Sequence, residues 1–366
     1  MLFLQYLLGL RALGHEVFWL DRLQSSGDRV HDHQLMDRFF KRFERYGFRD
    51  CCAVVLYDKA DDETNLDRAD VRGVTKEKIR EIAQSSDVLL NFCCCLRQPL
   101  LSLFKHRVLV DLDPGVLQAC ALEWDLCIHD HQIFLTVGSR MAIDGCRVPT
   151  LGVNWRSFAP FVYLPMWEPA ADPGDGKPFS SVTEWTWHTI SLHDELVSCS
   201  KRDAYLKYIE LPQRTRVPFE LAANIDPQDE IGDRELLRRN GWRLVHPHEV
   251  AHSPSFYQNY IRNSRAEIGC AKPIYTELKT GWFSDRSACY LASGRPVLAE
   301  DTGFGRTLPV GEGLVAFHTL DEAAAGTELI AHDYQKHSRA ARAIAEEYFD
   351  SNKVLGRLIE EVGIAP

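Results

Sequence analysis

No uninterrupted apolar run in this 366-residue chain approaches the roughly 20 residues that cross a bilayer, so no membrane span is expected. A basic excess is also missing. The 42 Lys and Arg residues stand against 52 Asp and Glu, a net charge of -10. Binding to nucleic-acid phosphates needs a basic face, so no nucleic-acid partner is expected, and charge alone would not hold the chain to anionic lipid. Residues 1–20 lack the basic start and small-residue cleavage site of a signal peptide, and Arg11, His15 and Glu16 interrupt their apolar character. There is no Cys-x-x-Cys pair among the eleven cysteines. Instead Cys51 and Cys52, and Cys93, Cys94 and Cys95, are adjacent in apolar stretches, where Cys serves as a small hydrophobe. Disulfide frameworks suit small secreted chains, so a reducing, cytoplasmic setting is expected. One further absence concerns architecture. A doubly wound domain opens with a strand and a glycine-rich loop, but this chain opens on a helical pattern. The expectation is that the first strand of an N-terminal domain is missing here or lies upstream.

What is present is an alternation of short apolar runs with helical spacing, which gives parallel, crossover-connected sheets. In the first half, strands are expected at 16–20, Cys52–Tyr57, 88–92, 108–111 and 132–137, with helices at 2–13, Lys76–Ser85 and 99–105. Residues 153–179 hold five prolines and two glycines, which sustain neither a helix nor a central strand and read as a crossing between domains. The alternation then restarts at Phe179 and ends in three helical stretches. The length suits two domains rather than one core. They are drawn at 1–160 and 161–350, with a terminal helix, 351–366, returning to the first.

The densest chemical signal is residues 280–306, TGWFSDRSACYLASGRPVLAEDTGFGR. Gly281 permits a tight backbone, Ser284 is a good N-cap, and Asp285 suits the first helical turn. Exposed amides at 284–286, with the charge of Arg286, would hold a phosphate. Gly294 ends the helix, a buried strand follows, and Glu300, Asp301, Thr302 and Gly303 form a polar turn at its carboxyl end, where ligands of open α/β sheets bind.

On these residues, and on Ser293-Gly294-Arg295-Pro296-Val297 followed by Asp301-Thr302-Gly303-Phe304, the segment resembles the donor region of GT-B-fold glycosyltransferases. The likeness is to the CgeB-like (spore-maturation) and group 1 enzymes, from about residue 179 to 362. It implies two Rossmann-like domains facing across a cleft and a nucleoside-diphosphate sugar as donor, with no metal and no other cofactor. Many retaining members carry two glutamates eight residues apart; aligned on Gly294, those positions are Gly281 and Cys289. Asp285 or Glu300 would have to take their place.

Elsewhere the candidates are single residues. Lys272 is read equally as a diphosphate contact and as a surface lysine. Asp111 and Asp113 follow a strand and could hold a cation, but Asp113 reads better as the cap of a helix beginning at Pro114, and it could also accept a proton from an acceptor hydroxyl. His131, after His129 and Asp130, is the second candidate base. His246 and Glu249 follow a strand where a nucleobase would be read, and Trp185 and Trp187 could stack on a ring. The expected reaction is glycosyl transfer to an acceptor hydroxyl on an unidentified small molecule, glycan or protein. The alternatives are a sugar-nucleotide epimerase-like enzyme and a non-catalytic sugar-nucleotide binder.

Overall fold

The computed structural model describes residues 1–58, 65–141, 143, 145–192 and 194–363. The first half runs α1 (Leu2–Ala12), β1 (Trp19–Gln24), α2 (Arg29–Arg45), β2 (Cys52–Tyr57), β3 (Asp70–Arg72) and α3 (Lys76–Ser85). It continues with β4 (Leu89–Phe92), β5 (Arg107–Asp111), α4 (Val116–Glu123), β6 (Ile133–Thr136) and β7 (Trp155–Ser157). The second half opens with β8 (Phe179–Glu184), a hairpin of β9 (Thr189–Leu192) and β10 (Glu195–Ser198), α5 (Lys201–Lys207), α6 (Leu211–Arg214) and β11 (Phe219–Asn224). Then come α7 (Asp233–Arg239), β12 (Trp242–Val245), α8 (Pro247–Ala251), α9 (Pro254–Arg262), β13 (Ala266–Gly269) and α10 (Pro273–Glu277). It closes with α11 (Asp285–Ala292), β14 (Val297–Glu300), β15 (Leu314–Phe317), α12 (Leu320–His332), α13 (Tyr334–Tyr348) and α14 (Ser351–Glu361).

In the second half six parallel strands form one sheet, β12-β11-β8-β13-β14-β15. Numbered in chain order within the sheet this is 3-2-1-4-5-6, the order of doubly wound nucleotide-binding sheets, whose ligand crevice lies where the order reverses. Here that is between the carboxyl ends of β8 and β13. Helices cover both faces, so the strands are buried and read as short apolar runs rather than alternating ones.

In the first half the strands fall into two sheets, β1-β2-β3 and β4-β5-β6-β7. Across the gap the rings of Phe3, Trp19 and Phe92 meet, with centroids 5.1 to 6.0 Å apart. No described strand stands between β1 and β4, the place that β8 holds in the second sheet.

The two halves share their cores. Val354, Leu355, Leu358 and Ile359 of α14 pack on Tyr6 of α1 and on Val108, Val110 and Leu135 of β5 and β6. In turn the hairpin lays Ile190, Leu192 and Val197 against Val116, Leu117 and Ala119 of α4, with Ile274 of α10 and Leu278 just past it beside them.

Several expectations need correction. The strand expected at 16–20 lies at Trp19–Gln24, and the helix expected at 99–105 is only a short 3-10 turn, Leu100–Leu103. The proline-rich crossing holds a strand, β7, ahead of its prolines and at a sheet edge, where no proline N–H is needed. Helix α2 was passed over, although Asp28 caps it and Met36, Phe39, Phe40 and Phe43 recur at helical spacing. The last three residues of the span 351–366 lie outside the described residues.

Candidate functional site

The carboxyl ends of β8 and β13 are lined with cations. Lys201, the first residue of α5, is buried, and its ammonium donates to the carbonyl oxygen of Cys270, just past β13. The same ammonium lies 5.1 Å from the centre of the Trp282 ring. Burial, and then the positive charge of Arg286, push the Lys201 pKa down to about 7. Lys272, which precedes α10, stands 5.4 Å from the Tyr275 ring and 5.9 Å from that of Trp187. Trp282 stacks on Tyr275 at 4.4 Å. The result is an aromatic-walled recess with two ammonium groups, one buried and held, among the described residues, by a main-chain carbonyl and a ring face, with Glu300 attracting it from beyond ion-pair distance. A buried cation without a carboxylate partner is poorly solvated and gains strongly from an arriving anion.

The first half closes this recess. Asp113 follows β5 and accepts from Lys272 Nζ at 2.7 Å and from the Tyr275 hydroxyl. Beside it the loop after β6 meets the segment before α11: the N–H of Arg140 donates to Thr280 O at 3.1 Å, and Ser139 Oγ donates to Gly281 O at 3.0 Å. Gly281 has φ +71°, and a Cβ there would fall 2.3 Å from Ser139 Oγ and 2.9 Å from the Arg140 nitrogen. Gly303, with φ +105°, is pressed in the same way, 2.5 Å from Arg140 Cδ. Both glycines therefore serve the junction of the halves, where only an absent side chain and a left-handed backbone fit.

Asp113 and Lys272, expected to act on different substrates, are bonded to each other. Asp113 does not cap a helix with its side chain; α4 begins after Gly115, and only the Asp113 carbonyl serves its first turn. Asp111 is no cation ligand, because its oxygens accept from Thr136, Gln118 and the Asp113 N–H at 2.8 to 3.0 Å. Burial nevertheless pushes its pKa up to about 6.

His131 is misplaced as a base. It precedes β6, at the end of the strand away from Asp113, and is buried. Asn91 Nδ2 donates to its Nε2 at 2.9 Å, and its Nδ1 donates to the Cys127 and Ile128 carbonyls. Burial lowers its pKa, so it packs as a neutral ring.

Arg286 also departs from expectation. Its guanidinium donates to Glu267 Oε1 at 2.5 Å and to Val182 O at 2.9 Å, so its charge is spent inside the crevice floor. Ser284 does cap α11, but its hydroxyl takes the Arg286 N–H that a phosphate was expected to use. Glu300 is closed off: it accepts from Lys207 Nζ at 2.8 Å, Tyr208 OH at 2.6 Å and the Ala271 N–H at 3.0 Å. Asp301 folds its own turn by accepting from the N–H groups of Gly303 and Gly305, and Thr302 donates to Trp282 O at 2.6 Å. Asp285 stands half-exposed at the first position of α11. His246 and Glu249 are exposed at the carboxyl end of β12, with His246 capping α8. Trp185, buried, donates to Asp233 and belongs to the core.

Lys201 was missed. Its signal was weak: a lysine after Ser200 at the start of a helix, separated from β8 by a hairpin that a βα unit does not need.

Among the described residues no cluster of three or more His, Cys, Asp or Glu side chains could hold a metal ion, all eleven cysteines are free, and no helix is long and apolar enough to cross a membrane. No protein-family model and no curated protein matches the chain. Solved structures do. HepE of Anabaena, in complex with UDP and glucose, is 14% identical with a TM-score of 0.55, over 95% of this chain and 99% of that one. An alpha-glucosyltransferase in complex with UDP is 10% identical with a TM-score of 0.54, over 94% and 99%. The sucrose-phosphate synthase of Thermosynechococcus elongatus is 12% identical with a TM-score of 0.51, over 95% and 99%. These likenesses span both halves, and with the 3-2-1-4-5-6 sheet they establish that the chain has the GT-B fold of two Rossmann-like domains.

Proposed function

We propose that the protein transfers a glycosyl group from a nucleoside-diphosphate sugar to an acceptor hydroxyl, without a metal. The observation that carries this reading is Lys201: a buried ammonium with no carboxylate in ion-pair contact among the described residues, at the strand-order reversal of a GT-B sheet, beside a second lysine. Its support from outside the chain is that HepE and the alpha-glucosyltransferase are both seen with UDP.

In this reading Lys201 and Lys272 take the diphosphate and neutralise the charge that builds on it as the glycosidic bond breaks. Lys272 would then exchange Asp113 for phosphate. Asp113, so released, accepts the proton of the acceptor hydroxyl. Asp285 is assigned to the sugar or ribose, and His246 and Glu249 to the nucleobase. The closed contacts among Ser139, Arg140 and Gly281 exclude water that would hydrolyse the donor.

The test is calorimetry with UDP and GDP in chelator, followed by product analysis with UDP-sugars. Binding in chelator that Lys201→Met removes is the expected result. Binding strictly dependent on manganese would overturn the metal-free reading. Tight binding with no turnover on any acceptor would favour the non-catalytic binder, a reading to which the closed-off Glu300 lends weight.

A further inference from the structure

A cavity of about 540 Å³ opens in the first half, away from the recess just described. It lies past the carboxyl ends of β1 and β2, and three elements supply its charge: Arg29 and His33 from α2, Arg68 from the turn before β3, and Arg72 from β3. Against these cations stand the carboxylates of Asp58 and Asp70. Arg29 and His33 are four residues apart, hence on one face of α2. The Arg72 guanidinium donates to His33 Nε2 at 2.7 Å, which fixes it toward the cavity wall. Arg29 and Arg68 have no ion-pair partner among the described residues.

A second observation lies behind the wall. Tyr57 lines the cavity, and the Arg22 guanidinium lies over its ring at 4.7 Å. The Nε and Nη1 of Arg22 are buried and have no hydrogen-bond partner among the described residues. Three guanidinium groups thus line the cavity from three elements, and a fourth, with two buried nitrogens that have no hydrogen-bond partner among the described residues, backs its wall through the Tyr57 ring. Planar forks arriving from several sides match the oxygens of a phosphate group better than one face of a carboxylate. The volume exceeds what a bare anion needs and leaves room for an attached ring.

The cavity opens at the same ends of the strands as the transfer site. Trp19 meets Phe92 across the gap between the sheets, and the thiol of Cys95, in the turn just past the carboxyl end of β4, meets the backbone of Arg22, further along β1. β1 and β4 therefore run in the same sense, and both point their carboxyl ends toward the side where Asp113 stands.

We propose that this cavity binds the phosphate group of a phosphorylated acceptor, the Arg68 and Arg72 guanidinium groups holding it while the rest of the molecule extends toward Asp113. Naming the ligand an acceptor rests on the proposed transfer reaction; the phosphate site itself does not. The test uses the full chain with saturating UDP, so that the donor recess is filled, titrated with glucose 6-phosphate and with glucose. Binding of glucose 6-phosphate but not glucose is expected, weakened at least tenfold in the Arg68→Ala, Arg72→Ala double variant. Both side chains are exposed, so the variant should keep the parent melting temperature and UDP affinity. If glucose 6-phosphate fails to bind, binds no better than glucose, or binds the double variant as tightly as the parent, the proposal is wrong. If it behaves as expected while UDP fails to bind the parent, the phosphate site stands and the transfer reading falls.

Discussion

The second half carries its six parallel strands in one unbroken sheet, whereas the first half carries a similar alternation split between two. In the second, β8 is the hinge of the strand order, and its neighbours β11 and β13 are hydrogen-bonded to it along their length or part of it. In the first, half-exposed aromatic rings stand where such a strand would be. The same sequence grammar therefore yields one continuous frame and one split frame, the latter held in shape partly by elements lent from the other half.

That contrast can be broken by truncating one aromatic side chain on each side. Phe219→Ala, in the unbroken sheet and fully buried, should lower stability by about 3–5 kcal/mol. Trp19→Ala, between the split sheets, should lower it by only about 1–2 kcal/mol, because its ring is half-exposed and its neighbours can close on the space. Denaturant titration measures both, and equal losses would erase the distinction.

Lys201→Met sharpens the contrast from the ligand side. UDP affinity should fall by about 1.5–3 kcal/mol, roughly tenfold to a hundredfold. The free protein should become more stable at pH 7. The sign follows from linkage: the folded pKa is about 7 against an ordinary 10.5, so between those values the unfolded chain binds more protons and stability rises with pH. UDP should also draw a proton onto Lys201 near neutral pH, seen as a binding enthalpy that varies with buffer. A buffer-independent enthalpy would mean that Lys201 is already charged or is not at the phosphate.

At the junction, Gly281→Ala should lower stability by about 2 kcal/mol, combining a left-handed alanine with a clash against Ser139 and Arg140. Gly294→Ala has a similar φ of +70° but its nearest contact is 3.4 Å away, so it should carry the conformational part alone. Matching losses in thermal melts would show that the junction opens freely. The smallest effect is expected at His131. Burial holds its pKa below the ordinary 6.5, so stability falls as pH drops through the unfolded value, and His131→Gln should flatten that fall in an acid melting series.

Much of the second half was legible in the sequence because its strands are buried on both faces and its helices carry ordinary caps and stops: Ser284, Gly294 and Thr319 act as read or by the same rule. The chemistry was less legible. Arg286 and Glu300 look like ligands to a reader of residues, yet both are paired inward, and no local pattern announces that Glu267 or Tyr208 lies across the sheet from them. The pairing of Asp113 with Lys272 joins residues 159 positions apart, beyond the reach of periodicity. Lys201 owes its role to a carbonyl on another strand and to burial, neither of which is written in its neighbours.

The place of α14 has a consequence in time. The flank of β5 and β6 that it covers belongs to strands synthesised long before it, and the backbone of Val162 exchanges hydrogen bonds with Phe349 and Ser351 just ahead of it. On the ribosome the first half must therefore wait with an apolar flank uncovered until residues 351–361 have emerged. Until that segment has emerged, nascent chains of this protein carry an aggregation-prone flank, and a stop codon ahead of Ser351 would injure the half of the molecule farthest from it in sequence.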